Sequence, residues 1–148
     1  MAQAVWDLIS SQPREPNGVL TDSFVMRFSG NLNWGLLSKN YHFTDDMLRM
    51  FQHRVSWPDV LRRQTLSESL LREMTVMFDE YSWSVLSRYQ TVSEAFIRDH
   101  ANHVDRDNII LYQNVSGRFL ETYYKHYTPE DERLVEPRRG VDEVDATH

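Results

Sequence analysis

Four times along this chain the same residue types return at the same distances from an anchor. With Trp34, Trp57, Trp83 and Arg106 as position zero, position +3 holds Leu37, Val60, Leu86 and Ile109, and position +7 holds Tyr41, Gln64, Gln90 and Gln113. Position +9 is Phe43, Leu66, Val92 and Val115, and +10 is always a hydroxyl: Thr44, Ser67, Ser93 and Ser116. Positions +13 and +14 are Met47-Leu48, Leu70-Leu71, Phe96-Ile97 and Phe119-Leu120, and +17 is Phe51, Met74, His100 and Tyr123. Self-similarity at a period of roughly 20–50 residues marks a repeat architecture, in which each unit buries its apolar face against its neighbours.

The anchors stand 23, 26 and 23 residues apart, so a three-residue insertion, which reads as an inserted loop, precedes the Trp83 copy, around Asp79 to Tyr81. An imperfect earlier copy starts with Trp6 and Ile9, is interrupted by PREPNG, and ends with Leu20, Thr21, Phe24, Val25 and Phe28. Arg106 in the tryptophan slot and Tyr41 in the glutamine slot depart from the pattern, as terminal copies of a stack do.

Each unit reads as two short helices. Helix A runs from the anchor for about two turns, with positions 0, +3, +4 and +7 on one face. Helix B begins at the hydroxyl, whose oxygen accepts a hydrogen bond from an otherwise unpaired amide. Asp22, Asp45, Glu68 and Glu94 follow the hydroxyl directly and put negative charge at the positive end of the helix dipole. The predicted fold is all-α, a short solenoid of four to five stacked two-helix repeats over residues 1–127. Gln64, Gln90 and Gln113 read either as ligand contacts or as ties to the next turn or the adjacent unit. The tie is preferred, because a half-buried amide needs partners at both ends.

The pattern W-x-x-[IVL]-x-x-x-Q-x-[LV]-S-E-x-[LF]-[IL], seen in WPDVLRRQTLSESLL and WSVLSRYQTVSEAFI, resembles repeats of bacteriophage and large-DNA-virus proteins. The resemblance covers about residues 20–124. It implies a viral or phage origin and a helical-repeat fold, and it carries no catalytic motif.

Composition narrows the chemistry. The chain has no cysteine, so disulfides and thiolate metal sites are excluded. It has no Walker loop, dinucleotide fingerprint or nucleophile elbow. Neither a catalytic residue nor a cofactor is expected, and the chain reads as a non-enzyme. His100 and His103 lie beside Asp99, Asp105 and Asp107. Because His100 fills the apolar +17 slot, ring packing is preferred to metal ligation, and no metal is expected. No apolar run approaches the roughly 20 residues that cross a bilayer, and the N-terminus lacks a secretory pattern. The expected location is therefore the cytoplasm, of an infected host cell if the viral resemblance holds.

Two basic ladders remain. Lys39, Arg62 and Arg88 occupy +5, about 140° round helix A from the anchor, and +6 adds Arg63, Tyr89 and Tyr112. Arg49, Arg72 and Arg98 occupy +15 on helix B. These read as solvated helix surface or as a binding face for an acidic host or viral protein. Nucleic acid is the alternative partner. It is weakened because 15 acids outnumber 13 bases over residues 1–127, whereas a DNA-binding domain is usually basic. Residues 128–148, with seven acids against three arginines, read as an acidic tail, a short helix followed by disorder.

Overall fold

A computed structural model of the chain describes residues 3–12 and 20–123; PREPNG and the acidic tail lie outside them. Among the described residues there are ten α-helices and no strand. The first pair is α1 (Gln3–Ser10) and α2 (Asp22–Arg27), followed by α3 (Trp34–Asn40) and α4 (Asp45–Met50). Next come α5 (Trp57–Arg63) and α6 (Glu68–Glu73), then α7 (Glu80–Tyr89) and α8 (Glu94–Asp99), and finally α9 (Arg106–Tyr112) and α10 (Gly117–Tyr123). A 3₁₀ turn, Thr75–Met77, lies between α6 and α7.

Helix B starts at the hydroxyl in every unit. Thr21, Thr44, Ser67, Ser93 and Ser116 each accept from the amide three residues on, at 3.0–3.2 Å. Helices this short are marginal alone, so the stack must hold them. Positions +3, +7, +9 and +13 are buried in all four anchored units. Helices A pack in sequence, α1 on α3, α3 on α5, α5 on α7 and α7 on α9, and form one layer. Burial of Trp57 and Trp83, with Phe78 edge-on to both at 5.5 Å, follows from that register.

The glutamines tie units together across this layer. Gln64 Oε1 accepts from the Phe43 amide at 2.8 Å, and its Nε2 donates to the Phe43 carbonyl at 2.7 Å. Gln90 accepts from the Leu66 amide at 2.9 Å and donates to the Leu61 and Gln64 carbonyls at 2.6 and 2.7 Å. Gln113 repeats this with the Val92 amide and the Ser87 and Gln90 carbonyls. Gln90 and Gln113 thus serve the C-terminal end of the preceding helix A, where carbonyls lack intrahelical partners, whereas Gln64 holds both backbone groups of Phe43 in the linker that follows α3. Tyr41, in the same slot, donates its hydroxyl to Asp22 of the preceding unit instead.

A second seam is made by serines at +4. Ser10, Ser38 and Ser87 accept from the N-cap amides of the next helix A, those of Asn33, Ser56 and Asp105, at 2.8–2.9 Å. The α5 unit has Leu61 there instead, fully buried, and the insertion follows that unit. Asp79 is the N-cap that matches Asn33, Ser56 and Asp105, and its carboxylate accepts from the Ser82 amide at 2.8 Å. The inserted residues are therefore 80–82. They form an extra first turn that makes α7 ten residues long against seven for α3, α5 and α9. This corrects the expectation of an inserted loop and of a helix beginning at Trp83. Where the serine seam is missing, helix A is longer by one turn.

Candidate interaction surface

The last turns of α3, α5 and α7 carry the first basic ladder: Lys39 on α3, Arg62 and Arg63 on α5, and Arg88 on α7. Cations are favoured there by the negative end of the helix dipole. All four side chains are exposed, and among the described residues none of them pairs with a carboxylate. Aromatic rings hold two of the guanidiniums instead. The Arg62 guanidinium lies 5.5 Å from the Tyr89 ring centre and donates to Tyr81 Oη at 2.8 Å. Arg88 lies 5.1 Å from the Tyr89 centre and 4.6 Å from that of Tyr112. The result is a ledge along α3, α5, α7 and α9, continuous from Arg62 through Tyr89 and Arg88 to Tyr112. Charge concentrates at its Lys39–Arg62–Arg63 end, and rings at its Tyr89–Tyr112 end.

On the helix B layer the second ladder is built differently. Arg49 donates to Glu73 of the next unit at 2.8 Å and to Asp46 at 2.9 Å. Arg72 donates to Asp99 of the next unit at 2.8 Å and to Glu68 at 3.3 Å, and also lies over Phe96. Arg98 lies over Phe119 of the next unit at 5.6 Å. Hydrogen bonds to Glu73 and to Asp99 raise the guanidinium pKa of Arg49 and Arg72, respectively, above the ordinary value. Arg49 and Arg72 are therefore braces between units, neutralised within the fold. The two ladders, both exposed, thus differ in how their charge is compensated among the described residues.

The acids after the caps also do more than meet the helix dipole. Glu68 accepts from the Ser93 amide and hydroxyl of the next unit, both at 2.8 Å, and Glu94 accepts from the Ser116 amide at 2.8 Å. Burial pushes the Glu68 carboxyl upward, but the bonds from Ser93 and Arg72 outweigh it and hold the group below its ordinary range.

The chain matches no protein-family model, no curated protein and no solved structure. Its chemistry must be read from its own geometry.

An open groove of about 1180 Å³ lies between the 3₁₀ turn with the start of α7 and the turn that joins α8 to α9. Exposed Val76 and Tyr81, with Asp79, Trp83, His100 and His103, are among its lining residues. His100 Nδ1 lies 2.9 Å from the Phe96 carbonyl, and its ring packs on Phe96 and Trp83, with centres 4.4 and 5.4 Å away. His103 stacks on Trp83 at 5.2 Å. The histidines thus serve as aromatic lining. Among the described residues no cluster of three or more His, Asp or Glu side chains is arranged to hold a metal. No described helix is long and apolar enough to cross a membrane.

Tyr81 is the surface residue that sequence reasoning overlooked. The repeat spacing places it in an inserted loop, whereas the extra turn of α7 brings its hydroxyl to Arg62 and leaves Tyr81 57% exposed. Its signal was the phase of the insertion: counted from Asp79 as a cap, Tyr81 is a helical residue.

Proposed function

We propose that this chain is a non-enzymatic interaction protein of viral or phage type, which docks the helix A ledge on an acidic surface of a host protein. Docking would inhibit or redirect that protein, and a component of a host defence system is the specific target in view. The observation that carries the reading is the contrast in charge compensation. Arg49 and Arg72 have two carboxylate partners each, whereas Lys39, Arg62, Arg63 and Arg88 have none among the described residues. Uncompensated, exposed cations beside exposed tyrosines suit recognition, and a stack of repeats offers such a face at length.

The test is affinity capture from host lysate by the wild type, by a Lys39→Glu/Arg62→Glu/Arg88→Glu variant, and by an Arg49→Glu/Arg72→Glu variant. A partner retained by the wild type and the second variant, and released by the first and by salt, supports the reading. Equal retention by all three, with all three folded, removes it.

Nucleic-acid binding is the second reading, favoured by the adjacent Arg62 and Arg63 on the ledge. It predicts a mobility shift that weakens steeply with salt. The excess of acids over bases across residues 1–127 ranks it lower.

A further inference from the structure

The spacing of the ledge narrows its partner. Lys39, Arg62 and Arg88 occupy the same position on successive helices A, and those helices pack directly on one another. Packed helices lie about 8–10 Å apart, so the three cations form a row with that interval. A partner must offer negative charges at a similar pitch on one face. An extended strand repeats its face about every 6.6 Å. A nucleic acid strand advances about 3.4 Å per phosphate. In an α-helix, residues seven apart rise about 10.5 Å and drift only about 20° round the axis. The helical heptad matches the row and the strand does not, while every third phosphate, at about 10.2 Å, matches it as well. The choice between helix and nucleic acid therefore falls to the side chains that surround the cations.

The guanidiniums are also held in place before a partner arrives. Arg88 lies against the Tyr89 and Tyr112 rings, and Arg62 is fixed by the Tyr89 ring and the Tyr81 hydroxyl. Fixed side chains lose less entropy on binding, and a guanidinium fork matches a carboxylate with two parallel hydrogen bonds. The same contacts occupy ring surface that nucleobases would need for stacking.

Resting on the reading above, we infer that the ledge seats an α-helix of a partner protein that carries carboxylates at i, i+7 and i+14. The helix crosses α3, α5 and α7 and meets Lys39, Arg62 and Arg88 in turn.

The experiment uses two labelled helical peptides of identical composition, one with Glu at i, i+7 and i+14 and one with Glu at i, i+5 and i+10, which scatters the acids round the helix. Binding to the full chain is followed by fluorescence anisotropy at low salt, with peptide helicity checked by circular dichroism. The heptad peptide should bind at least about 10-fold tighter than the respaced one and lose at least about 10-fold against the folded Lys39→Glu/Arg62→Glu/Arg88→Glu variant. Equal binding of both peptides, lost together in that variant, overturns the helical match and leaves the acidic-partner reading standing. Failure of both peptides to bind the wild type, or binding unaffected by the reversals, overturns that reading as well. An oligothymidylate that binds tighter than either peptide, and is lost in the same variant, replaces the helix with single-stranded nucleic acid.

Discussion

The two layers of this stack use arginine in opposite ways. On the helix B layer, Arg49 and Arg72 cross to the next unit and meet Glu73 and Asp99, so their charge is part of how the units hold together. On the helix A layer the units are held by neutral groups, the buried amides of Gln64, Gln90 and Gln113 and the hydroxyls of Ser10, Ser38 and Ser87. With cohesion supplied by amides, Lys39, Arg62 and Arg88 on that layer are not needed as braces. One layer spends its cations on the fold, and the other leaves them facing outward.

The contrast is broken most severely by removing the neutral seam. Gln90→Ala leaves the Leu66 amide and two buried carbonyls without this partner. At about 1–3 kcal/mol per unsatisfied group, the expected loss is about 3–9 kcal/mol, seen as a lower urea midpoint. Gln90→Met fills similar space without the bonds and should lose nearly as much. Trp83→Ala should cost about 3–5 kcal/mol by cavity formation. High salt should leave all three losses unchanged, because no charge is involved. A Gln90→Met variant that unfolds at the wild-type midpoint would mean that apolar packing alone holds the layer.

The irregular junction between α5 and α7 gives a sharper version. Leu61→Ser alone buries a hydroxyl in an apolar site and should cost about 2–4 kcal/mol. Combined with deletion of residues 80–82, the new serine faces an N-cap placed as in the regular junctions. The double change should then be less destabilising than the sum of its parts by about 1–2 kcal/mol. Strict additivity in thermal melts would show that the missing serine and the added turn are unrelated.

On the charged layer the expected effects are smaller and depend on salt and pH. Arg49→Glu/Arg72→Glu sets new carboxylates beside Asp46, Glu73, Glu68 and Asp99, so the variant should melt below wild type, most clearly at low ionic strength. Glu68 is held below its ordinary value of 4.5 in the folded chain. Its contribution is therefore complete above about pH 4.5 and is lost as pH falls through the lowered folded value. Glu68→Gln should flatten that acid limb of the melting curve. An unchanged limb would assign acid sensitivity to other carboxylates, such as Asp7, which hydrogen bonds from Gln3 and Asn33 also hold low.

Much of this was legible in the sequence, because a repeat shows each contact several times. The all-α stack, the caps of helix B, the buried tryptophans and the structural role of the glutamines follow from slots that recur at fixed intervals. The serine seam was equally present, as a hydroxyl at +4 on an otherwise apolar face in the Trp6, Trp34 and Trp83 units, but a small polar residue does not raise a hydrophobic pattern. Half of the neutralisation of Arg49 and Arg72 is visible within one unit, where Asp46 and Glu68 stand three and four residues before them. The other half is not, because Glu73 and Asp99 lie one repeat further on, on a neighbouring helix. The phase of the insertion was hidden for a similar reason. Only the N-cap role of Asp79 shows that residues 80–82 extend a helix.

The smallest expected effect on stability is the one that bears on function. Lys39→Glu/Arg62→Glu/Arg88→Glu removes ring contacts and the Arg62–Tyr81 bond at exposed positions. Exposed contacts of this kind contribute little to folding, so the melting temperature should stay within about 3 °C of wild type. The helix B variant carries fewer reversals, yet it should melt lower, because each of its new charges faces carboxylates that lost their partner. Binding of an acidic partner should invert that order, abolished by the helix A variant and kept by the folded helix B variant. Arg63→Glu, one position on and without a ring contact among the described residues, should weaken binding in part and leave the melt unchanged. If the helix A variant melts as far below wild type as the helix B variant, the two layers do not differ in kind. The ledge would then be one more brace, and the search for a partner surface would move to the groove beside Tyr81 and Trp83.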